Sequence, residues 1–302
     1  MRTSLQQRLQ TAMIYMEHSS KNLYDSQAKT VSGKRILKPS DDVPGTSRAM
    51  QLRSTLNTMK QYMNNIDVSM PALKATEAAL GQVTDALQVV NQIAIAAAND
   101  ITDDRQAYVA QLNDILDNLM DVANTKHAEQ FIFSGTATNE FTITKGPLPT
   151  DPYVCNPNVN VKKAQVLSWV SLPTNVPGQS VFNFDGSAGA GTTNVFQMII
   201  DLRDSIAAAD TPAISAHLDN IQANLNNALS IRARVGSWMQ RMERAKDTLL
   251  DSDTRVRTML SDVEDIDLPE AIVQLKTHEL VYQTALSVTQ RVLDVSLAGM
   301  SR

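Results

Sequence analysis

From Leu52 onward, apolar residues return at steps of four and three: Leu52, Leu56, Met59, Met63, Ile66, Met70 and Leu73. Glu77 interrupts this seam, and Leu80, Leu87 and Ala94 carry it on. A heptad spacing held this long predicts a helix packed along a coiled-coil-like seam. Pro71 lies beside the seam and is expected to kink or break the helix, because it lacks a backbone N–H and its ring crowds the preceding turn. Tyr108, Leu112, Ile115, Leu119 and Val122 mark a second helix. Thr211-Pro212 reads as an N-cap followed by a first-turn proline, leading into Ile214, Leu218, Ile221, Leu225 and Ala228. The period goes on through Val235, Met239, Met242, Leu249, Val256, Leu260 and Val263. "DLPE" at 267–270 has the Asp-x-x-Glu spacing of a capping box and opens a last helix.

The two ends share this pattern. Leu5, Leu9, Ala12, Met16, Ser19, Leu23 and Ser26 step by four and three, while Val281, Tyr282, Ala285, Leu286, Val288, Val292, Leu293 and Val295 form a broad stripe. Gln283, Ser287, Gln290 and Asp294 stand opposite that stripe. Lys and Glu usually fill the outer face of a solvated helix, so a face of Gln and Ser implies one covered on its second side by other subunits. An ordinary intramolecular helix pair is the simpler alternative.

Between the helical halves the rhythm changes. Residues 135–191 hold six of the 11 glycines and six of the 11 prolines. "EFTIT", with Phe141 and Ile143, and "SVFNFD", with Phe182 and Phe184, alternate with a period of two, as strands do. The expected architecture is therefore mainly α: a long antiparallel helical bundle or coiled coil formed by both chain ends, with a small β-rich inserted domain. Its parts are a terminal coiled-coil domain (1–44 and 268–302), a middle helical domain (45–139 and 194–267) and a separately folded, outward β insertion (140–193).

Composition narrows the function. Of the 302 residues 43% are hydrophobic and only 5% aromatic, with 13 methionines, which favours aliphatic helix seams over an aromatic stacking surface. A net charge of −5 leaves no footprint for a polyanion, so nucleic acid is not an expected partner. The single cysteine, Cys155, rules out an internal disulfide framework or a multi-cysteine metal site. No apolar core of the secretory kind follows Met1, and the longest wholly apolar run, "IAIAAA" at 93–98, is too short to span a membrane.

Candidate chemistry is sparse. His18, His127, His217 and His278 form no His-Glu-x-x-His pair, and all fall on expected helices. "GSAGAGTT", 186–193, resembles a phosphate loop in glycine spacing, but Thr192 stands where the motif needs lysine. "SDVEDIDLPE", 261–270, lacks the central glycine and ligand order of a calcium loop. Neither a catalytic residue nor a cofactor or metal site is expected. In "KPSDDVPG", 38–45, the carboxylates of Asp41 and Asp42 lie between Pro39 and Pro44. Ser40 or Asp41 is expected to cap the following helix, with both carboxylates complementing its positive end, so the segment is read as a joint.

"VSGKRILKPSDDVPGTSRAMQLRS", 31–54, resembles the N-terminal signature of the flagellin family, and its Ser-Asp-Asp-Pro core points to the members that join hook to filament. "ANTKHAEQFIFSGT" (123–136), "RARVGSWMQRME" (232–243) and "SDVEDIDLPEAIVQLKTHELVYQTALSVTQRVLDVSLAGM" (261–300) are similar to further segments of that family. Val43, which separates Asp42 from Pro44, departs from the usual pattern. The resemblance implies a structural flagellar protein, not an enzyme. Its expected place is outside the cell, after export through the flagellar type III apparatus without a cleaved signal peptide. The implied partners are the hook-side junction protein, flagellin, other copies of the chain in a helical layer, and an export chaperone on the C-terminal helix. Leu5, Leu9, Met16, Leu23, Val281, Tyr282, Leu286, Val288, Leu293, Val295 and Leu297 are the candidate assembly residues. A flagellin-type filament subunit is the alternative within the family, and an unrelated coiled-coil scaffold or an enzyme the alternative outside it.

Overall fold

The computed structural model describes residues 2–99, 105–148, 151–156 and 158–300. Side chains are described in all of these except 2–6, 8, 9, 147, 148, 151, 152 and 292–300. The helices are α1 (Arg2–Ser32), α2 (Val43–Asn99), α3 (Arg105–Ala123), α4 (Gly178–Val181), α5 (Val195–Ala207), α6 (Thr211–Glu264) and α7 (Leu268–Met300). The strands are β1 (Lys126–His127), β2 (Gln130–Phe131), β3 (Ile143–Leu148), β4 (Asp151–Cys155), β5 (Lys163–Leu167) and β6 (Val170–Pro173). Each successive pair of strands forms its own two-stranded antiparallel sheet. The chain divides into two compact units, Met1–Thr58 with Asp251–Arg302, and Met59–Leu250.

In the second unit the seam residues of α2 meet a complete core. Ile66, Leu73, Leu80, Leu87 and Ala94 are buried together with Leu112 and Leu119 of α3, Phe196 and Leu202 of α5, and Ile221 and Val235 of α6. Pro71 does not break α2, which runs through it as a single 57-residue helix. The proline is exposed, while Ile66 and Leu73 on either side are buried, so packing of the flanking turns outweighs the lost backbone bond. Glu77 has a partner: Arg232 of α6 places its Nε 2.9 Å from the Glu77 carboxylate. The same guanidinium lies over Gly81.

The inserted segment shares a hydrophobic core with the helices. Ile143, Cys155, Val166, Leu172, Val181 and Phe182 belong to the same core as the helices. "SVFNFD" is not a strand. Gly178–Val181 is a short helix, the Phe184 amide bonds the Gln179 carbonyl, and Asn183 takes a left-handed φ of 58°. That turn sends both Phe182 and Phe184 onto Phe196, which a strand would also have done by alternation, so the period-two signal was ambiguous. At "EFTIT" the strand starts only at Ile143, and Phe141 is exposed beside the Phe131 ring. His127 lies on β1 and not on a helix.

The start of α6 also differs from the expected cap. Asp210, one residue earlier than Thr211, accepts the Ala213 amide at 3.1 Å, which places Thr211 and Pro212 inside the first turn. Replacing Phe196 by Ala will remove the ring that Tyr153, Phe182 and Phe184 surround. The expected loss is about 3–5 kcal/mol of unfolding free energy, measured by urea denaturation.

Candidate assembly surface

In the first unit, α1 packs against α7. The residues turned from solvent on α1 include Ala12, Met16, Ser19, Leu23, Ser26 and Thr30 at steps of four and three, with Ser20, Asn22 and Lys29 beside them. On α7 they include Ala271, Leu275, His278, Tyr282, Ala285 and Thr289, with Leu286 beside them. The pair is antiparallel: Ser26 and Lys29 share a cleft with Ala271 and Gln274, whereas Thr11 and Tyr15 share a groove with Ala285 and Val288. Of these two helices' described side chains only Ser19 and Ala271 are fully buried. Leu5, Leu9, Leu293, Val295 and Leu297 lie outside the described side chains.

Much apolar surface is left uncovered. At about 100° per residue, Val281 and Val288 flank the α7 seam on one side, Ile272 on the other, and Val273 lies on the back, all exposed. On α1, Met13, Ile14, Tyr15, Tyr24 and Val31 are exposed, Val31 at 89%. A groove of about 860 Å³ runs between the helices, lined by Ala12, Tyr15, Leu280, Val281, Ala285 and Val288 among others. Thr11, Thr284 and Thr289 also line it, but their hydroxyls donate to the Gln7, Leu280 and Ala285 carbonyls of their own helices. The groove therefore offers methyl groups more than free polar ones.

Two chain corners meet next to this pair. Gly33, with a φ of 68°, ends α1, and its carbonyl accepts the Ile266 amide at 3.0 Å. The Arg35 amide donates to the Glu264 carbonyl at 2.7 Å, completing a bridge between Lys34 and Asp265. The Glu264 side chain is 5% exposed and pairs with both Lys34 and Arg53. Arg35 reaches across to the Val263 carbonyl at 2.8 Å and to Asp42 at 3.1 Å.

Inside the joint, the two aspartates have separate tasks. Asp42, rather than Ser40 or Asp41, caps α2 by accepting the Gly45 amide at 2.9 Å. Asp41 points backward and accepts the Lys38 and Leu37 amides at 2.9 and 3.1 Å. Val43 simply becomes the first residue of α2, with Pro44 second, where its missing N–H costs nothing. Pro39 and Pro44 are exposed. A side chain on Gly45 would meet the Asp42 carboxylate and come within 2.7 Å of Ile36 Cδ1, so the cap requires glycine there.

Other candidate chemistry is occupied internally. Asn183 donates to Thr192 Oγ1 and to the Thr193 carbonyl, each at 3.0 Å, and Thr192 donates to the Gly189 carbonyl. Asn194 caps α5 by accepting the Gln197 amide, so the glycine-rich loop does not present a free helix start to an anion. Burial pushes the Cys155 thiol up to about 12, which keeps it protonated and unreactive. Among the described residues no three His, Cys, Asp or Glu side chains converge as metal ligands, and no helix is long and apolar enough to cross a membrane.

The family model for the bacterial flagellin N-terminal helical region matches residues 4–138, and that for the bacterial flagellin C-terminal helical region matches residues 218–297. The chain belongs to the bacterial flagellin family. Flagellar hook-associated protein 3 of Escherichia coli (strain K12) is 26% identical over 321 residues, covering 97% of this chain and 98% of that one. The flagellin of Listeria innocua is 21% identical over 280 residues, covering 91% and 89%. The crystal structure of the flagellar junction protein FlgL from Legionella pneumophila superposes with a TM-score of 0.58 at 15% identity, over 71% of this chain and 100% of that one. Both flagellin models stop short of β3–β6, α4 and α5.

Sequence reasoning missed Glu264 and its two cations. The signal was available: Glu264 follows Val263 on the inward side of α6, as Glu77 sits in the α2 seam, and a carboxylate at such a position demands a partner. Replacing Glu264 by Ala will cost about 1–3 kcal/mol of local stability, since Lys34 and Arg53 are half exposed. Faster amide exchange at Arg35 and Ile266 will report it.

Asp41 and Asp42 also make the joint acid-sensitive. The Lys38 and Leu37 amides hold the Asp41 carboxyl below its ordinary value of 3.8, and the Gly45 amide with Arg35 does the same for Asp42. A depressed folded value contributes stability above the unfolded value, which is lost as pH falls from 3.8 through the folded values. The joint will therefore stay intact at neutral pH and loosen below about pH 4. Carboxyl titrations by NMR should give both midpoints below those of an unfolded peptide.

Proposed function

We propose that this chain is a structural subunit of the bacterial flagellum that joins the hook to the flagellin filament. The observation that carries the reading is the incompletely covered α1–α7 pair, whose apolar residues surround α7 on seam, flanks and back. Such surface is stable in water only when neighbours cover it. The junction reading is favoured over a filament subunit because the hook-associated relative aligns over 97% of this chain and 98% of its own, against 91% and 89% for the Listeria innocua flagellin. The role is structural and not enzymatic.

In this scheme residues 1–44 and 268–302 form the polymerisation core, 45–139 and 194–267 the middle helical domain, and 140–193 the outward insertion. The candidate assembly residues of α1 and α7 pack against other copies in a helical layer, with the hook-side junction protein on one side and flagellin on the other. Before assembly an export chaperone covers the stripe of Val281, Tyr282, Leu286 and Val288, extended by Leu293, Val295 and Leu297, in a helix-in-groove manner. The protein then leaves through the flagellar type III apparatus without a cleaved signal and resides on the outside of the cell.

Deleting the gene should leave cells that secrete unpolymerised flagellin and do not swim, and the unaltered chain should restore swimming. Failure to restore it would refute the junction role. Leu286→Asp with Leu293→Asp should abolish both chaperone capture and swimming, while residues 59–250 keep their cooperative thermal transition. Retained capture and swimming would reject the stripe as the interaction surface.

A further inference from the structure

Beside the bridged corner lies a cleft of about 390 Å³, floored by Ile36, Pro39 and Met50 and edged by Lys34, Lys38 and Arg53. A shallower hollow of about 440 Å³ continues it over Pro39, Met50 and Val43. Val43 and Met50 are 68% and 64% exposed. Glu264 is the one carboxylate in the cleft lining, and Lys34 and Arg53 already share it, so the cleft keeps a net positive charge. Thr46 lines both hollows, and its buried hydroxyl has no hydrogen-bond partner.

The complement to this surface is on the same unit. Residues 258–275 contain no Lys or Arg, and Asp262, Asp265, Asp267 and Glu270 are exposed within them. Leu268, Ile272 and Val273 add exposed apolar side chains to the same segment. One surface is thus apolar with a basic rim, and the other apolar with an acidic rim.

We infer that the acidic start of α7 on one copy docks into the basic cleft beside the α1–α2 joint of the next copy. This rests on the junction-layer reading above and names the contact that sets one subunit beside another. A two-fold contact of cleft on cleft would bring cation against cation, whereas cleft to α7 brings opposite charges together. Repeated by the single operation that relates neighbours in such a layer, the contact is head-to-tail. It propagates from copy to copy and closes only as a ring or continues as a helix.

Cysteine cross-linking tests this in the assembled protein. The full chain with Met50→Cys and Val273→Cys, expressed in the deletion strain, supplies hook–filament particles for treatment with a short bis-maleimide. Cys155 is buried and protonated and does not compete. The expected product is a ladder of dimers, trimers and higher multimers that neither single variant gives. Adding Lys38→Glu should lower the ladder about tenfold, and adding Glu270→Lys as well should restore it. Swimming cells whose particles yield only monomer, a dimer from Met50→Cys alone, or a link to a different flagellar protein would overturn the contact and leave the junction role standing. If the paired cysteines block assembly where the unaltered chain assembles, swimming of the charge variants decides. Lys38→Glu and Glu270→Lys must each impair it and together restore it, or the contact is wrong. Failure of the unaltered chain to complement would instead strike the junction role itself.

Discussion

Glu264 reaches Lys34 just after α1 and Arg53 on α2, while its own carbonyl takes the Arg35 amide. One residue at the end of α6 therefore ties the exit of α1 to the entry of α2 and α7. A carboxylate so nearly shielded from water tolerates burial only because two cations meet it, so loss of either partner exposes the cost of the other. The surrounding bonds follow from this fixed point. With Arg35 held against Val263 and Asp42, Asp42 is in place to cap α2, and the capped helix requires the bare Cα of Gly45 beside it.

The two units solve burial differently. Residues 59–250 close a core of their own with Phe133, Phe182, Phe196 and the α2 seam. The terminal pair has small or polar residues along much of its inner line, including Ala12, Ser19, Ser26 and Ala271, and places larger apolar side chains around it. Small seam residues let two helices lie close but contribute little area. The α1–α7 pairing thus leaves more of the described large apolar side chains exposed than it covers.

The helices were legible because heptad spacing is a long-range signal that survives local exceptions. Ala12, Met16, Ser19 and Leu23 could be placed on one face from spacing alone. Caps were harder, since Ser40, Asp41 and Asp42, or Asp210 and Thr211, are all competent cap residues and only backbone geometry chooses between neighbours. The β region was misread where a helical turn and a strand both bring residues two apart to one ring, as at Phe182 and Phe184. Its sharing of the helical core could not be read at all, because the contact of Tyr153 with Phe196 joins segments whose separation in sequence carries no period. The joint motif was visible from its composition; the position of Glu264 on α6 signalled that it needs a partner but not that Lys34 and Arg53, more than 200 residues earlier, supply it.

Met59 and Leu249 both pack on the core of the middle unit, although they lie at its two ends in sequence. Pairing α1 with α7 in an otherwise unfolded chain would close a loop of nearly the whole polypeptide. Once the middle unit has folded, most of that loop is already closed, and the entropy of bringing the ends together has largely been spent. The terminal helices then meet at high effective concentration, needing only a weak seam to associate. Loop closure therefore favours forming the centre before the ends.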